Sequence, residues 1–343
     1  MRILVTGHLG YIGVETTSLL VDLGHEVVGL DTDLFAECDF LGQPDPVPTL
    51  GIDLRDVTPA NLVGFDAVIH LAALSNDPLS DLNPQLTYVI NRDASIRLAE
   101  AAKMAGVSRF IFSSSCSLYG KGGDDELDEQ AAFNPVTPYG ESKIQVERAV
   151  SRLADDNFSP VFLRNATAYG FSRRLRADVM VNNLVGHAVT GGKVRMQSDG
   201  SPWRPLVHVL DIAHAFAQVV VAPQSAIHNQ AFNVGRVGEN YRVRDVANLI
   251  AEIVPECSVS FAPGAGPDIR DYRVDFTKIE SNLPGYQPQW TVRKGIEQLW
   301  AAFADRRMTP ELFEGPTYFR LRTIKKLIEQ GDLNAELRRV AHR

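Results

Sequence analysis

The chain has 343 residues, 45% hydrophobic and 22% charged, with a formal net charge of −8. This is the composition of an ordinary globular protein with room for one large or two moderate domains, and an acidic balance without a block of like charge argues against a dedicated nucleic-acid partner. No run of about 18 apolar residues is present to span a membrane, and Cys38, Cys116 and Cys257 lie far apart with no CxxC pair, which speaks against a disulfide framework or a metal site and fits a reducing, cytoplasmic setting.

The N-terminus enters a strand pattern at once, with "RILVTG" over 2–7, so no signal peptide is expected. A helical apolar pattern follows over 10–23, and then a second strand, "HEVVGLD" (25–31). Between these elements "VTGHLGYIG" (5–13) places Gly7, Gly10 and Gly13 after a strand and at a helix start. Glycines there allow a tight turn and let the backbone approach a pyrophosphate, which the helix N-terminus favours electrostatically. Asp31 ends the second strand about 20 residues on, where a carboxylate can accept hydrogen bonds from an adenosine ribose. The same carboxylate would repel a 2′-phosphate, and Thr32 and Asp33 supply no arginine to offset it. That combination points to NAD rather than NADP.

Further strands are expected at 49–54 ("TLGIDL"), 66–72 ("DAVIHLA"), 109–115 ("RFIFSSS") and 159–165 ("SPVFLRN"), with helices near 83–105 and 139–155. Asp53, at the end of the third strand, is within reach of the adenine edge. Alternating strands and helices predict βαβ units and a parallel sheet. The fold class expected is therefore α/β: a Rossmann-type doubly wound parallel sheet with a smaller α/β substrate-binding lobe. The expected division is a dinucleotide-binding domain over 1–170, a lobe mainly over 171–308 with an excursion back to the first domain near 206–235, and a charged helical tail over 309–343 that packs on the body or on a partner.

"PYGESK" (138–143) puts Tyr139 and Lys143 four residues apart, on one face of a helix. An ammonium beside a phenol favours the phenolate, and a tyrosine poised that way can take a proton from a sugar hydroxyl and return it. "FSSSCSLYG" (112–120) adds hydroxyls at a strand end, where one can orient the same substrate oxygen.

These motifs resemble those of the extended short-chain dehydrogenases/reductases of the nucleotide-sugar epimerase/dehydratase type. The resemblance runs from residue 1 to about 300 and rests on "TGHLGYIG", "HLAA" (70–73), "SSSCSLYG", "PYGESK" and "WRPLVHVLDIAHA" (203–215). It implies Ser115 as the catalytic hydroxyl beside Tyr139 and Lys143. It implies NAD held by Gly7, Gly10, Tyr11, Ile12, Gly13, Asp31, Asp53, Leu54, Leu71, Ala72, Ala73 and Ser113, with Tyr139 and Lys143 reaching the nicotinamide end and Asn91 supporting the site. It also implies a nucleotide-sugar substrate met by Ser115, Thr167, Asn183, Leu184 and Arg204, the arginine on its diphosphate. The run "SRRLR" adds Arg173, Arg174 and Arg176 near the cleft, as a phosphate site or as a solvated loop.

The departures from the family pattern are informative. The family's 4,6-dehydratases carry Asp-Glu after the hydroxyl residue, whereas this chain has Cys116 and Ser117. Neither can serve as the acid and base of a dehydration without unusual tuning, and Cys116 reads as a small packed residue. Thr167 stands where sugar epimerases carry asparagine, Pro205 replaces an acidic residue, and Ala265 replaces an arginine for which Arg270 or Arg273 could compensate. These changes bear on which nucleotide and sugar are bound. The function expected is an NAD-dependent nucleotide-sugar epimerase with transient hydride transfer and Tyr139 as acid–base. A dehydrogenase or reductase with net redox change is the alternative, and a non-catalytic NAD sensor would have no use for the intact Ser115, Tyr139 and Lys143. The helices near 83–105 and 139–155 carry Leu86, Val89, Ile90, Ile96, Leu98 and Met104, and Ile144, Val146, Ala149, Val150 and Leu153. That is more apolar surface than one sheet face needs, so a homodimer through these helices is expected.

Overall fold

Fourteen strands occur in chain order in a computed structural model that describes residues 1–42, 46–75, 83–262 and 270–340. They are β1 (Arg2–Thr6), β2 (Glu26–Leu30), β3 (Thr49–Leu50), β4 (Ala67–His70), β5 (Arg109–Ser115), β6 (Lys121–Leu127), β7 (Ser159–Asn165), β8 (Thr167–Tyr169), β9 (Lys193–Met196), β10 (Trp203–His208), β11 (Gln230–Val234), β12 (Asn240–Arg242), β13 (Ser258–Phe261) and β14 (Asp271–Val274). The central sheet has the order β11-β7-β5-β4-β1-β2-β3, and every pair in it is parallel. The chain runs outward from β1 through β2 and β3, then returns to β4 on the other side of β1. That reversal opens a crevice beyond the carboxyl ends of β1 and β4, the usual ligand position in such sheets.

Continuous apolar runs build these strands because both faces are covered. Ile3, Leu4, Val5, Ala67, Val68, Ile69, Phe110 and Ile111 are fully buried. Three expected elements are refined. Only Thr49 and Leu50 of the 49–54 stretch pair as a strand. Asp53 ends the stretch because its carboxylate accepts from Arg55 N at 2.9 Å and caps a short 3-10 turn, Leu54–Asp56. The helix near 83–105 is interrupted by a π-helical segment, Tyr88–Asp93, between Pro84–Thr87 and Ala94–Met104. The helix Pro138–Ser151 begins at Thr137, whose hydroxyl accepts from Gly140 N, with proline at the first turn; both are favoured at a helix start.

Beyond β8 the chain builds a second apolar core around the helices Met180–Gly191 and Val292–Asp305, with Val181, Val185, Ile296, Leu299 and Phe303 fully buried. The three-stranded sheet β12-β10-β8 joins this core to the first. After β10 the helix Val209–Val221 leads to β11, which pairs with β7 at the edge of the central sheet. The tail packs on its own chain. Phe313 of the short helix Pro310–Phe313 sits on Gly186, where an added Cβ would lie 1.9 Å from the ring. The helix Arg320–Glu329 then buries Ile324 and Leu327 with Leu74, Leu86, Leu333 and Leu337.

Much of the apolar surface assigned to a dimer face is covered within the chain. Ile144, Val146, Val150, Leu86 and Leu98 are all buried, whereas Met104 is 77% exposed.

Candidate active site

A cleft of about 650 Å³ is lined by residues at the carboxyl ends of β1, β2, β4 and β5 and by residues of the lobe. Its floor is the turn after β1. Gly7 has φ +72°, and a Cβ there would come within 2.7 Å of Ala72 N, so the loop after β4 crosses too closely for any side chain. A Cβ on Gly13 would lie 2.1 Å from Gly7 O. No side chain caps the helix Gly13–Asp22 that follows. A glycine-rich turn leading into a helix start with no side-chain cap is a ready anion site.

Two acids stand at one end of the cleft. Asp31 accepts from Leu9 N at 3.1 Å and from Asp33 N at 2.9 Å, which ties it to the glycine turn. Burial raises its pKa, opposed by those two hydrogen bonds and by His8. Asp53 is paired with Arg55 at 2.6 Å. Arginines do reach the end of β2 from elsewhere in the chain: Arg174 pairs with Asp39 at 2.6 Å and Asp33 at 3.2 Å, and Arg339 donates to Thr32 O and Asp33 O. Both are engaged with acids or carbonyls already.

At the other end stand Ser113, Ser115, Tyr139 and Lys143. The three serines divide by strand alternation. Ser114 Oγ donates to Glu147 at 2.5 Å, inside a buried group in which Glu147 also holds Arg164 at 2.8 Å. Ser113 Oγ accepts from Asn165 Nδ2 at 3.0 Å, and Ser115 Oγ accepts from Ser117 N at 3.1 Å. Lys143 is 3% exposed and donates through Nζ to Ser113 O at 2.6 Å. Its Nζ lies 5.5 Å from the centre of the Tyr139 ring. Burial lowers the Lys143 ammonium to about 7, with Glu147 pulling the other way.

Cys116 is 1% exposed, donates to Arg164 O at 3.1 Å and has its thiol pKa pushed up by burial. It is a packed side chain of the core. Asn91 clamps the loop after β4, accepting from Leu74 N at 2.8 Å and donating to Leu74 O at 3.0 Å. Among the described residues, the carboxylates on the cleft wall are Asp31, Asp33 and Asp53 at the acidic end and Asp178, which is paired with Arg176 at 2.9 Å.

Of the residues singled out from the sequence, Gly7, Gly10, Tyr11, Ile12, Gly13, Asp31, Asp53, Leu54, Leu71, Ala72, Ala73, Ser113, Ser115, Tyr139, Lys143, Thr167 and Arg204 all line this one cleft. Asn183 and Leu184 do not line it. Asn183 donates to Ala177 O at 3.0 Å, and Leu184 is buried in the core of the lobe. Within the "SRRLR" run only Arg176 lines the cleft, donating to Ser75 Oγ at 3.0 Å across it. Arg204 is 6% exposed and donates to Trp203 O and Arg270 O. Arg270 and Tyr272 share its part of the wall, whereas Arg273 lies over the Trp203 ring. Ala265 falls outside the described residues. Sequence reasoning missed Ser75, Asp178, Tyr272, Arg320 and Leu337 on the wall; only Tyr272, in the segment where Arg270 was weighed, carried a signal.

The model of the NAD dependent epimerase/dehydratase family matches residues 3–235. A UDP-glucose 4-epimerase of Mycolicibacterium smegmatis is 30% identical over 322 residues, covering 89% of this chain and 99% of the relative. A UDP-glucose 4-epimerase of Bacillus subtilis is 28% identical, covering 88% and 95%. Among solved structures, MoeE5 in complex with UDP-glucuronic acid and NAD is 27% identical with a TM-score of 0.78, covering 89% of this chain and all of MoeE5.

Proposed function

This chain belongs to the NAD-dependent epimerase/dehydratase family, and from that premise we propose that it is a nucleotide-sugar epimerase that carries NAD and uses it transiently. The observation that carries this reading is the meeting of Ser115, Tyr139 and Lys143 with the glycine cradle in one cleft, together with the absence of an acid at the two positions after Ser115, where Cys116 and Ser117 stand.

The residues present fit the dinucleotide. Gly7 and Gly13 let the turn after β1 pack directly on backbone, where a Cβ would come within 2.7 and 2.1 Å of Ala72 N and Gly7 O, and so bring the start of the helix Gly13–Asp22 to the cleft wall. Asp31 stands where a ribose diol would be accepted, and its charge opposes a 2′-phosphate. Gly10, Tyr11 and Ile12 would lie along the pyrophosphate, Leu71, Ala72 and Ala73 along the cofactor's length, Asp53 and Leu54 at the adenine, and Ser113 and Lys143 at the nicotinamide end. Bound NAD would supply a hydride acceptor and then a hydride donor within one turnover.

The chain's own groups handle the proton and the substrate. Tyr139 takes the proton of the sugar hydroxyl and later returns it. Lys143, held on Ser113 O, places a positive charge beside the phenol when it is protonated, and in that form favours the phenolate. Ser115 orients the reacting oxygen by a hydrogen bond. Arg204 suits the substrate's diphosphate, because a guanidinium pairs two oxygens at once, and Thr167 faces the sugar. UDP-sugars are the substrate class to try first, since the relatives named above act on or bind them. Packed and bonded through its thiol, Cys116 offers no acid for loss of water.

The test is ¹H NMR of a series of UDP-hexoses incubated with the protein and with Tyr139→Phe. The protein should produce an isomer of at least one sugar without net NADH. The variant should bind NAD unchanged and lose roughly 10²–10⁴-fold in kcat. Near-normal turnover by the variant would remove Tyr139 from the mechanism.

A further inference from the structure

Two residues of the C-terminal tail, Arg320 and Leu337, stand on the wall of the cleft, although both lie beyond the family-matched span of 3–235. Arg320 opens the helix Arg320–Glu329 and is 2% exposed. Its Nη2 donates to Arg174 O at 3.1 Å, and its guanidinium carbon lies 4.3 Å from the centre of the Phe35 ring. Its Nη1 is buried and has no hydrogen-bond partner among the described residues. A buried guanidinium nitrogen without an acceptor is costly, and the Cys38 thiol beside the fork is only a weak partner. On the wall of a dinucleotide cleft, the missing acceptor is one that the ligand supplies. Phosphate oxygens match a guanidinium best.

Leu337 is 6% exposed and is held at φ +55°, a conformation that a leucine rarely adopts. Such strain persists only where neighbouring contacts enforce it, and here they do. Asn334 Oδ1 accepts from Glu336 N and Arg338 N, which shapes the loop. The loop is then tied to the segments that follow β2 and β3, where Asp31 and Asp53 stand. Arg338 donates to both Asp56 oxygens at 2.5 and 3.0 Å, Arg55 donates to Glu336 O at 2.7 Å, and Arg339 donates to Thr32 O and Asp33 O. Asp31 and Asp53 lie directly beside these anchors.

We propose that the tail is part of the dinucleotide site: Arg320 donates to the pyrophosphate of the bound cofactor, and the loop carrying Leu337 caps the adenosine end and retains the cofactor between turnovers. This rests on the reading of the cleft as an NAD site.

The experiment loads the full-length protein with ³²P-labelled NAD and follows its release into excess unlabelled NAD. Arg338→Ala/Arg339→Ala cuts the anchors outside the core and should release NAD at least tenfold faster, with the unfolding temperature of the NAD-free protein unchanged. Release within twofold of the parent overturns the cap. By calorimetry, Arg320→Gln should weaken NAD about tenfold while leaving adenosine binding unchanged, and Arg320→Lys should recover part of the loss. An equal loss for adenosine, or none for NAD, overturns the phosphate contact. If Arg320→Gln fails to fold, the double arginine variant still decides the cap, and Arg320→Lys, folded but with NAD affinity reduced and adenosine affinity intact, decides the contact. A parent protein that binds no NAD at all would fail the underlying reading first, and the tail's role with it.

Discussion

Lys143 shows most directly how burial and chemistry are joined in single side chains. It is almost completely buried, its partner is a carbonyl, and the desolvated ammonium gives up its proton near pH 7 rather than near its ordinary 10.5. The sign of the linked stability effect follows. Between about pH 7 and 10.5 the unfolded chain binds a proton at this residue that the folded chain does not, so this residue's contribution to stability rises with pH across that window. Below it, the folded state carries the full cost of a buried charge. Lys143→Met removes that cost, so the NAD-free variant should be more stable than the parent at pH 6, with the gap closing toward pH 10. Denaturant unfolding at both pH values measures it; a gap that does not change with pH would contradict the assignment. Cys116 makes the complementary point. It stands among hydroxyls at the reacting end, and its burial with the thiol on Arg164 O agrees with its reading from the sequence as a small packed residue.

At the scale of elements, the parts legible in the sequence are those whose chemistry is local. A strand, three glycines and a helix start define the cradle within residues 5–13, and one helical turn sets Tyr139 above Lys143. The parts not legible depend on distant chain. Asn183 and Leu184, assigned to the substrate by the family resemblance, sit on the helix Met180–Gly191, whose packing in the lobe turns them away from the cleft. The stretch 49–54 has the apolar character of a strand, and the Asp53–Arg55 pairing stops it after Leu50. The amphipathic tail announces a buried face without saying what covers it. The cover proves to be the lobe at Phe313 and the first domain at Leu74 and Leu86. Phe313 is fully buried against Gly186 and Phe303. Phe313→Ala should therefore destabilise the protein by about 3–5 kcal/mol, the usual range for a buried aromatic cut to alanine. Urea denaturation checks this, and a loss below about 1 kcal/mol would mean that the tail is not docked as described.

The whole molecule is a parallel sheet whose switch point holds the cradle, a lobe that brings Arg204, Arg270 and Tyr272 to the opposite wall, and a tail that returns to the first domain. No helix among the described residues is long and apolar enough to cross a membrane. With Ile144, Val146 and Val150 already buried, a dimer through the helices Ala94–Met104 and Pro138–Ser151 would rest on the remaining face, which includes Met104. Light scattering at micromolar concentration should give twice the monomer mass of 37.7 kDa, and a monomer with full activity would rule the interface out. Transient use of NAD makes a definite statement about where the hydrogen goes. In the proposed reaction a carbon-bound hydrogen would leave the sugar as hydride and return to the same carbon from the other face, without exchange with water. The most direct measurement is mass spectrometry of the product formed in ordinary water from a nucleotide hexose deuterated at every ring carbon. Transient hydride transfer predicts an isomer that keeps all of its carbon-bound deuterium, whereas an isomer with one deuterium replaced by solvent hydrogen, or an oxidised sugar lacking it, would contradict that mechanism.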